Sequence, residues 1–164
     1  MSFRWKTALC MVCLVSLLFG AGSCALISLS FQTSLAREEA AARASYDLLF
    51  RTLQMVESVE VWSGPQDAAQ GIAQLSAQGN QSWAALSLET DQKTFLTQGT
   101  IPEGFLDLSG LVNPSHYAQS AFSYQGRHYL QLSGQLEVQG EPLLLNVAYD
   151  ISSVYQTRQQ QQQA

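Results

Sequence analysis

Beyond Phe31 the sequence contains no cysteine, and its 164 residues include only two histidines, His116 and His128. The first absence excludes disulfides and thiol chemistry from that part of the chain and leaves its stability to an ordinary apolar core. The second leaves two imidazoles on different expected strands or strand edges, with no thiolate to join them. A metal needs converging ligands, so each reads as a surface or partly packed histidine. Basic residues are also scarce. All 13 acidic residues lie beyond Phe31 against 6 of the 8 Lys and Arg, a formal charge of −7 there. Such a surface excludes nucleic acid and anionic headgroups as partners, because both require clustered cations. No G-x-S-x-G is present, and the serines lack an evident histidine and carboxylate set. Glu137 and Glu141 flank an expected hairpin turn, where solvated charge is the ordinary reading. Neither an enzyme nor a cofactor or metal site is expected.

What is abundant is apolar sequence near the start. Ala8 to Phe31 carries no charge, and 24 helical residues extend ~36 Å, enough to cross a ~30 Å hydrocarbon layer with some tilt. A secretory signal core is usually only about 7 to 15 residues. Ala21-Gly22-Ser23 before Cys24 loosely resembles a lipoprotein processing site but lacks the large aliphatic residue three positions before the cysteine. The run is therefore read as an uncleaved single-pass anchor, with a cleaved or lipidated form as the alternative. Arg4 and Lys6 place the N-terminus in the cytoplasm by the positive-inside rule, and everything after about residue 32 outside. Cys10, Cys13 and Cys24 all fall inside the run. Gly20-Ala21-Gly22-Ser23-Cys24-Ala25 fits G-x-G-x-x-A but has neither the preceding strand nor the βαβ unit of a dinucleotide site. Ser16, Gly20, Cys24 and Ser28 recur every fourth residue and offer a small-residue face on which a second membrane helix could pack closely.

The helix need not stop at the membrane surface. Residues 32 to 60 contain no Gly or Pro and are rich in strong helix formers, with Glu39 and Arg43, and Asp47 and Arg51, as favourable i,i+4 pairs. Leu35, Ala42, Leu49 and Val56 repeat every seventh residue, with Tyr46 and Leu53 between them. This seam suits either a second subunit's helix or the domain's own sheet. Both uses, along different parts of its length, are expected.

The remainder reads as a mixed unit. Ser63-Gly64-Pro65-Gln66 predicts a helix start with Ser63 as N-cap and Gln66 reaching back, and Gly79 a stop. Ala69, Ile72, Ala73 and Leu75 face inward on that helix. Strands are expected at 83 to 88, with Ala84, Leu86 and Leu88 on one face, and at 94 to 97, 117 to 124, 127 to 138 and 143 to 150. Gln125-Gly126 and Gln139-Gly140-Glu141-Pro142 are the expected turns. Residues 98 to 115 form a long loop or broken helical turn. A final helix starts near Ser152 or Ser153 and runs into Gln159 to Gln163. The fold class is thus α+β: residues 1–7 cytoplasmic, 8–31 transmembrane, 32–62 a long juxtamembrane helix packed on a five-stranded antiparallel sheet, 63–151 the extracytoplasmic domain, and 152–164 an exit helix or tail.

That order, together with "FRWKTALCMVCLVSLLFGAGSCALISLSFQTSLAREEAAARASYDLLFRTLQ" at the entrance and "LLLNVAYDISSVYQTRQQQQ" at the exit, resembles the extracytoplasmic PAS-like sensor domain of bacterial membrane-bound sensor histidine kinases. In such kinases a strand ends in a tyrosine-aspartate step and a helix leads toward a second membrane crossing. The resemblance implies a signal-sensing input domain of a two-component system, working as a dimer in the cell membrane. The sequence departs from the family in carrying no second membrane helix, no phosphoacceptor histidine helix and no ATP-binding motif. Ala164 falls where the second crossing is expected to begin. The chain is read as the front of a larger receptor, or alternatively as a stand-alone anchored binding or adaptor protein. A pilin-like subunit is the third reading, disfavoured because Ala8 to Phe31 has no glutamate.

A ligand site is expected between the strands and residues 98 to 115, since a long loop over a sheet is where a pocket opens. Tyr124, Arg127, His128 and Tyr129 cluster around one hairpin beneath it, and Arg127 is one of two basic residues between 83 and 150. The ordinary alternative is strand packing by the tyrosines and solvation of Arg127. The candidate dimer seam is Leu35, Ala42, Leu49 and Val56, continued in the bilayer by Ser16, Gly20 and Cys24. Beyond the membrane, the expected partners are a second copy and an extracytoplasmic signal or protein.

Overall fold

An uninterrupted run of helix formers becomes one helix, α1, spanning Phe3–Val59. Its 57 residues correspond to about 86 Å. The described residues of this computed structural model are 3–59, 62–78, 83–99, 101 and 104–163, so the stop expected at Gly79 lies outside them. The first half of α1 buries nothing. Leu9, Met11, Val12, Leu14, Leu17, Leu18, Phe19, Leu26 and Leu29 are all more than half exposed, and an 18-residue window of mean hydropathy 2.3 makes this helix long and apolar enough to cross a membrane. Two hydroxyls of α1 are satisfied within the helix: Ser23 donates to the Phe19 carbonyl at 2.8 Å and Thr33 to that of Leu29 at 2.9 Å. Polar groups facing lipid need such internal partners.

The second half of α1 lies on a sheet. Strands β1 (Ala85–Glu89), β2 (Thr94–Gly99), β3 (Ala118–Tyr124), β4 (Arg127–Val138) and β5 (Glu141–Asp150) follow α2 (Pro65–Gln78) and precede α3 (Ser152–Gln163). All five strands form one antiparallel sheet in the order β2-β1-β5-β4-β3. The molecule is α+β, as the sequence predicts. Alternation along the strands sends Leu86, Leu88, Leu130, Leu132, Leu136, Leu143, Leu145 and Val147 to one face. There they meet Ala42, Tyr46 and Leu53 of α1 and Ala68, Ala69 and Ile72 of α2. The opposite face carries Ala85, Ser87, Gln131, Ser133, Asn146 and Ala148, all buried although four are polar.

Several local expectations shift. Gly64, not Ser63, takes the N-cap position before α2, its carbonyl accepting the Ala68 N–H at 3.1 Å. Asp67, not Gln66, reaches back, its carboxylate accepting from the Ser63 N–H at 3.1 Å. A carboxylate is the stronger acceptor and sits in the first turn, where the helix dipole favours it. The turn from β4 to β5 needs only Gln139-Gly140, with φ of 53° and 77°, and Gln125-Gly126 matches it at 47° and 77°. Two positive φ values in a two-residue turn fit the twist of the flanking strands. Glu141 and Pro142 therefore belong to β5, opposite Val138 and Glu137. Pro142 is tolerated there because β1 pairs with β5 only as far as Leu144, so no ladder bond is lost.

Candidate functional site

The irregular segment after β2 closes over the polar face of the sheet, and Gln131 holds it there. The Gln131 side chain is fully buried. Its Oε1 accepts from the Leu106 N–H and its Nε2 donates to the Leu106 carbonyl, both at 2.8 Å, so it pairs with the loop as a neighbouring strand would. Ile101 and Phe105 pack beside it on Ala85, Ala148 and Phe122. The network continues along one cross-strand row. Gln131 Nε2 donates to Ser133 Oγ at 3.0 Å, Ser133 to Asn146 Oδ1, and Asn146 Nδ2 to Ser87 Oγ at 3.2 Å and Glu89 Oε1 at 2.9 Å. Buried polar groups are tolerated when they are hydrogen-bonded in this way.

Glu89 ends the row at the wall of two adjoining cavities of about 440 and 400 Å3, which share Glu89, Thr90, Asp91, Gln92, Ser109 and Leu144. The β1–β2 turn forms one side, with the Thr90 N–H donating to the Lys93 carbonyl at 2.8 Å. Asp107 is held in place by the hydroxyl of Ser109 at 2.6 Å and its N–H at 3.1 Å. These two bonds, the hydroxyl's foremost, hold the Asp107 carboxyl below the usual carboxylate range. With Glu89, Asp91 and Glu141 also on the walls, the described lining carries four carboxylates, Lys93, two amides and three hydroxyls beside an apolar strip of Val112, Pro142, Leu143 and Leu144. Such a lining suits a small polar or cationic group and supplies no activated nucleophile.

The four hairpin residues do not converge in this cleft. Tyr124, Arg127 and Tyr129 stand on the loop-covered face of the sheet and His128 on the helix face, since Tyr124 opposes Arg127 and Ser123 opposes His128. Tyr129 stacks on Phe122 with ring centroids 5.4 Å apart. Arg127 is paired with Asp150 at 3.0 Å, and the Tyr124 hydroxyl accepts from Gln125 at 3.2 Å. His128 stacks on Tyr155 of α3, centroids 3.6 Å apart and planes 12° apart, while its Nδ1 meets Ser123 Oγ at 2.7 Å.

That stack begins a chain of contacts joining the sheet to α3 and α1. Tyr155 meets the edge of Phe31 on α1 at 5.2 Å, and the Arg158 guanidinium lies 4.6 Å over the same ring. Farther along α1, Tyr46 donates to the Leu145 carbonyl at 3.1 Å, so β5 and then α3 run back along α1 toward its apolar half. Gly134 makes this fit possible, because a side chain there would collide with the Tyr46 hydroxyl. The start of α3 is fixed by Asp150, whose Oδ1 accepts the Ser152 N–H at 2.9 Å, and by Ser152 Oγ, which accepts the His128 N–H at 2.9 Å. Partial burial opposes ionisation of Asp150, but the Ser152 bonds and the Arg127 guanidinium outweigh it and lower its pKa.

The heptad residues face the domain's own sheet. Ala42 is buried, and Leu35, Leu49 and Val56 are partly buried against the same core. Ser16, Gly20 and Cys24 are exposed on the apolar half of α1. The sequence reading missed Gln131, Asn146 and Tyr155. The only signal for the first two was a polar residue at alternate positions of an apolar strand, which also describes a solvent-facing edge. No family model matches the chain, and neither does a curated protein or a solved structure.

Proposed function

We propose that this chain is the extracytoplasmic input portion of a membrane-bound sensor histidine kinase, with a PAS-like domain outside the membrane and the N-terminus in the cytoplasm. The observation that carries the reading is the contact of α3 with α1 where the apolar run ends, through Phe31, Tyr155 and Arg158, with His128 linking both to the sheet. β5 also ends in Tyr149-Asp150, with Ile151 alone before the exit helix, a step that the resemblance includes. The chain itself carries no chemistry in this reading. Its output is mechanical: a signal at the covered face of the sheet alters packing, and α3 moves against α1. Coupling of this kind requires contacts that differ between two states by typically about 1 to 3 kcal/mol. A homodimer would make the movement legible across the bilayer.

The test is a chimera joining residues 1–164 to the second membrane helix and kinase modules of a sensor kinase with a transcriptional readout. One residue inserted among Gln159–Gln163 turns everything after it by about 100° and is expected to change basal output. Four inserted residues, close to a full turn, restore it. Output insensitive to helix phase would sink the receptor reading. The second reading, a stand-alone anchored binding protein, is favoured by the exposed Leu106 and Leu111 beside the acidic cleft.

A further inference from the structure

A second cleft lies on the other side of the sheet, against Tyr46 and Gly134. It encloses about 340 Å3 between α1 and the turn before β3, with Gly134 and Gln135 beneath. This is within the size range of small-molecule sites. Phe50 and Tyr117 line its wall, and both rings contact the buried ring of Tyr46. Tyr46 stacks on Phe50 with centroids 6.1 Å apart and planes at 20°, and lies tilted against Tyr117 at 5.5 Å and 52°. On its rim α1 presents both charges of one exposed ion pair, Arg51 Nε to Asp47 Oδ2 at 2.9 Å. The facing turn is braced by paired backbone bonds between Asn113 and His116, both at 3.1 Å, and by the Asn113 side chain accepting the Ser115 N–H at 2.9 Å. His116 of this turn also lines the cleft, opposite α1.

A simple anion in this cleft would meet Arg51 but also Asp47, and a simple cation the reverse. A zwitterion meets both favourably by dividing the pair, its carboxylate taken by the Arg51 fork and its ammonium by Asp47. Opening an exposed pair of this kind forfeits little, because solvent already screens it. The aromatic wall suits a planar ring, which gains from offset or edge contacts with tyrosine and phenylalanine. We infer that the cleft between α1 and residues 113–117 binds a small zwitterion carrying a ring, an aromatic α-amino acid. The site is separate from the acidic cleft, and binding here does not depend on whether the chain feeds a kinase. A ligand held between Arg51 and His116 would tie α1 to the edge of the sheet.

The test uses the full chain in lipid nanodiscs, titrated with L-phenylalanine and followed by the ring resonances of its two histidines, assigned with His116→Gln. A saturable shift of His116 is expected, weakened at least tenfold in both Arg51→Gln and Asp47→Asn. Benzoate, phenethylamine and glycine, which each lack one of the three features, are expected to give no saturable shift at the same concentrations. The Arg51 side chain is largely and that of Asp47 about half solvent-exposed, and an unchanged circular dichroism melt confirms that the variants are folded. No His116 shift up to about 10 mM, tenfold above a millimolar Kd, would overturn the inference. So would an equal response to benzoate, or binding untouched by both substitutions.

Discussion

Gln131 shows how much one side chain can fix. Alternation with Leu130 and Leu132 marks it as facing away from the apolar core, which in an exposed sheet means water. Here that face is covered, and the amide supplies both bonds that the Leu106 backbone would otherwise lack. Gln131→Leu keeps the volume and removes the bonds, leaving the Leu106 N–H and C=O, in a partly buried setting, without these partners, which costs about 1–3 kcal/mol. The expected outcome is a lower urea midpoint together with faster hydrogen exchange at the Leu106 amide, while amides of the β4–β5 ladder slow or quicken only with global stability. Unchanged exchange at Leu106 would show that the loop is held by Ile101 and Phe105 alone. Tyr46 is a second such case. Burial, foremost, then the neighbouring Tyr149 and Tyr117, pushes its pKa far above the usual phenol value. It therefore stays protonated and donates to Leu145 at any pH the fold survives.

Among elements, the junction of β5 and α3 carries the clearest pH dependence. Asp150 is ionised more readily in the folded chain than in the unfolded one. Its contribution is therefore present above the ordinary carboxylate range and is lost as pH falls through its depressed folded value. Asp150 and Arg127 are both substantially solvent-accessible, so the ion pair itself adds little and the Ser152 cap is the larger part. Asp150→Asn is expected to flatten the acid limb of the stability curve and to fray the first turn of α3, read by thermal melts between pH 3 and pH 7 (a range of about four units bracketing the carboxylate values). A limb as steep in the variant as in the parent would assign the dependence to other carboxylates. The elements themselves were legible because their signals are local: an uninterrupted run of helix formers for α1, two Gln-Gly turns for the hairpins, alternating leucines for β4 and β5. What covers each face was not local. The sequence gives Leu35, Ala42, Leu49 and Val56 one apolar stripe without saying which surface meets it. The hairpin residues Tyr124, Arg127, His128 and Tyr129 divide between two faces because adjacent strand positions must alternate.

For the whole molecule, the use of that stripe constrains how two copies could pair. A subunit contact through Ala42 would require lifting α1 from its own sheet, exposing a core that includes Tyr46 and Leu53, and each large buried side chain exposed costs about 1.5–3 kcal/mol. Among the described residues of α1 beyond Phe31, the large apolar side chains left exposed are Leu48 and Met55, 69% and 70% exposed. They are seven apart and in heptad register with Gly20 of the small-residue face inside the apolar run, so a gently supercoiled pair of helices could use all three. The proposed homodimer therefore makes a specific demand. In a chain with Cys10, Cys13 and Cys24 replaced by serine, single cysteines at Leu48 and Met55 are expected to cross-link between copies in native membranes, and one at Ala42 is not. Cysteines at Arg43 and Gln54, exposed on other sides of the same helix, serve as controls for random collision. Cross-linking at Ala42 as efficient as at Leu48 would mean that α1 leaves the sheet to pair. Cross-linking at none of the five sites would remove the dimer and leave movement of α3 against α1 within one chain as the route by which a signal reaches the membrane.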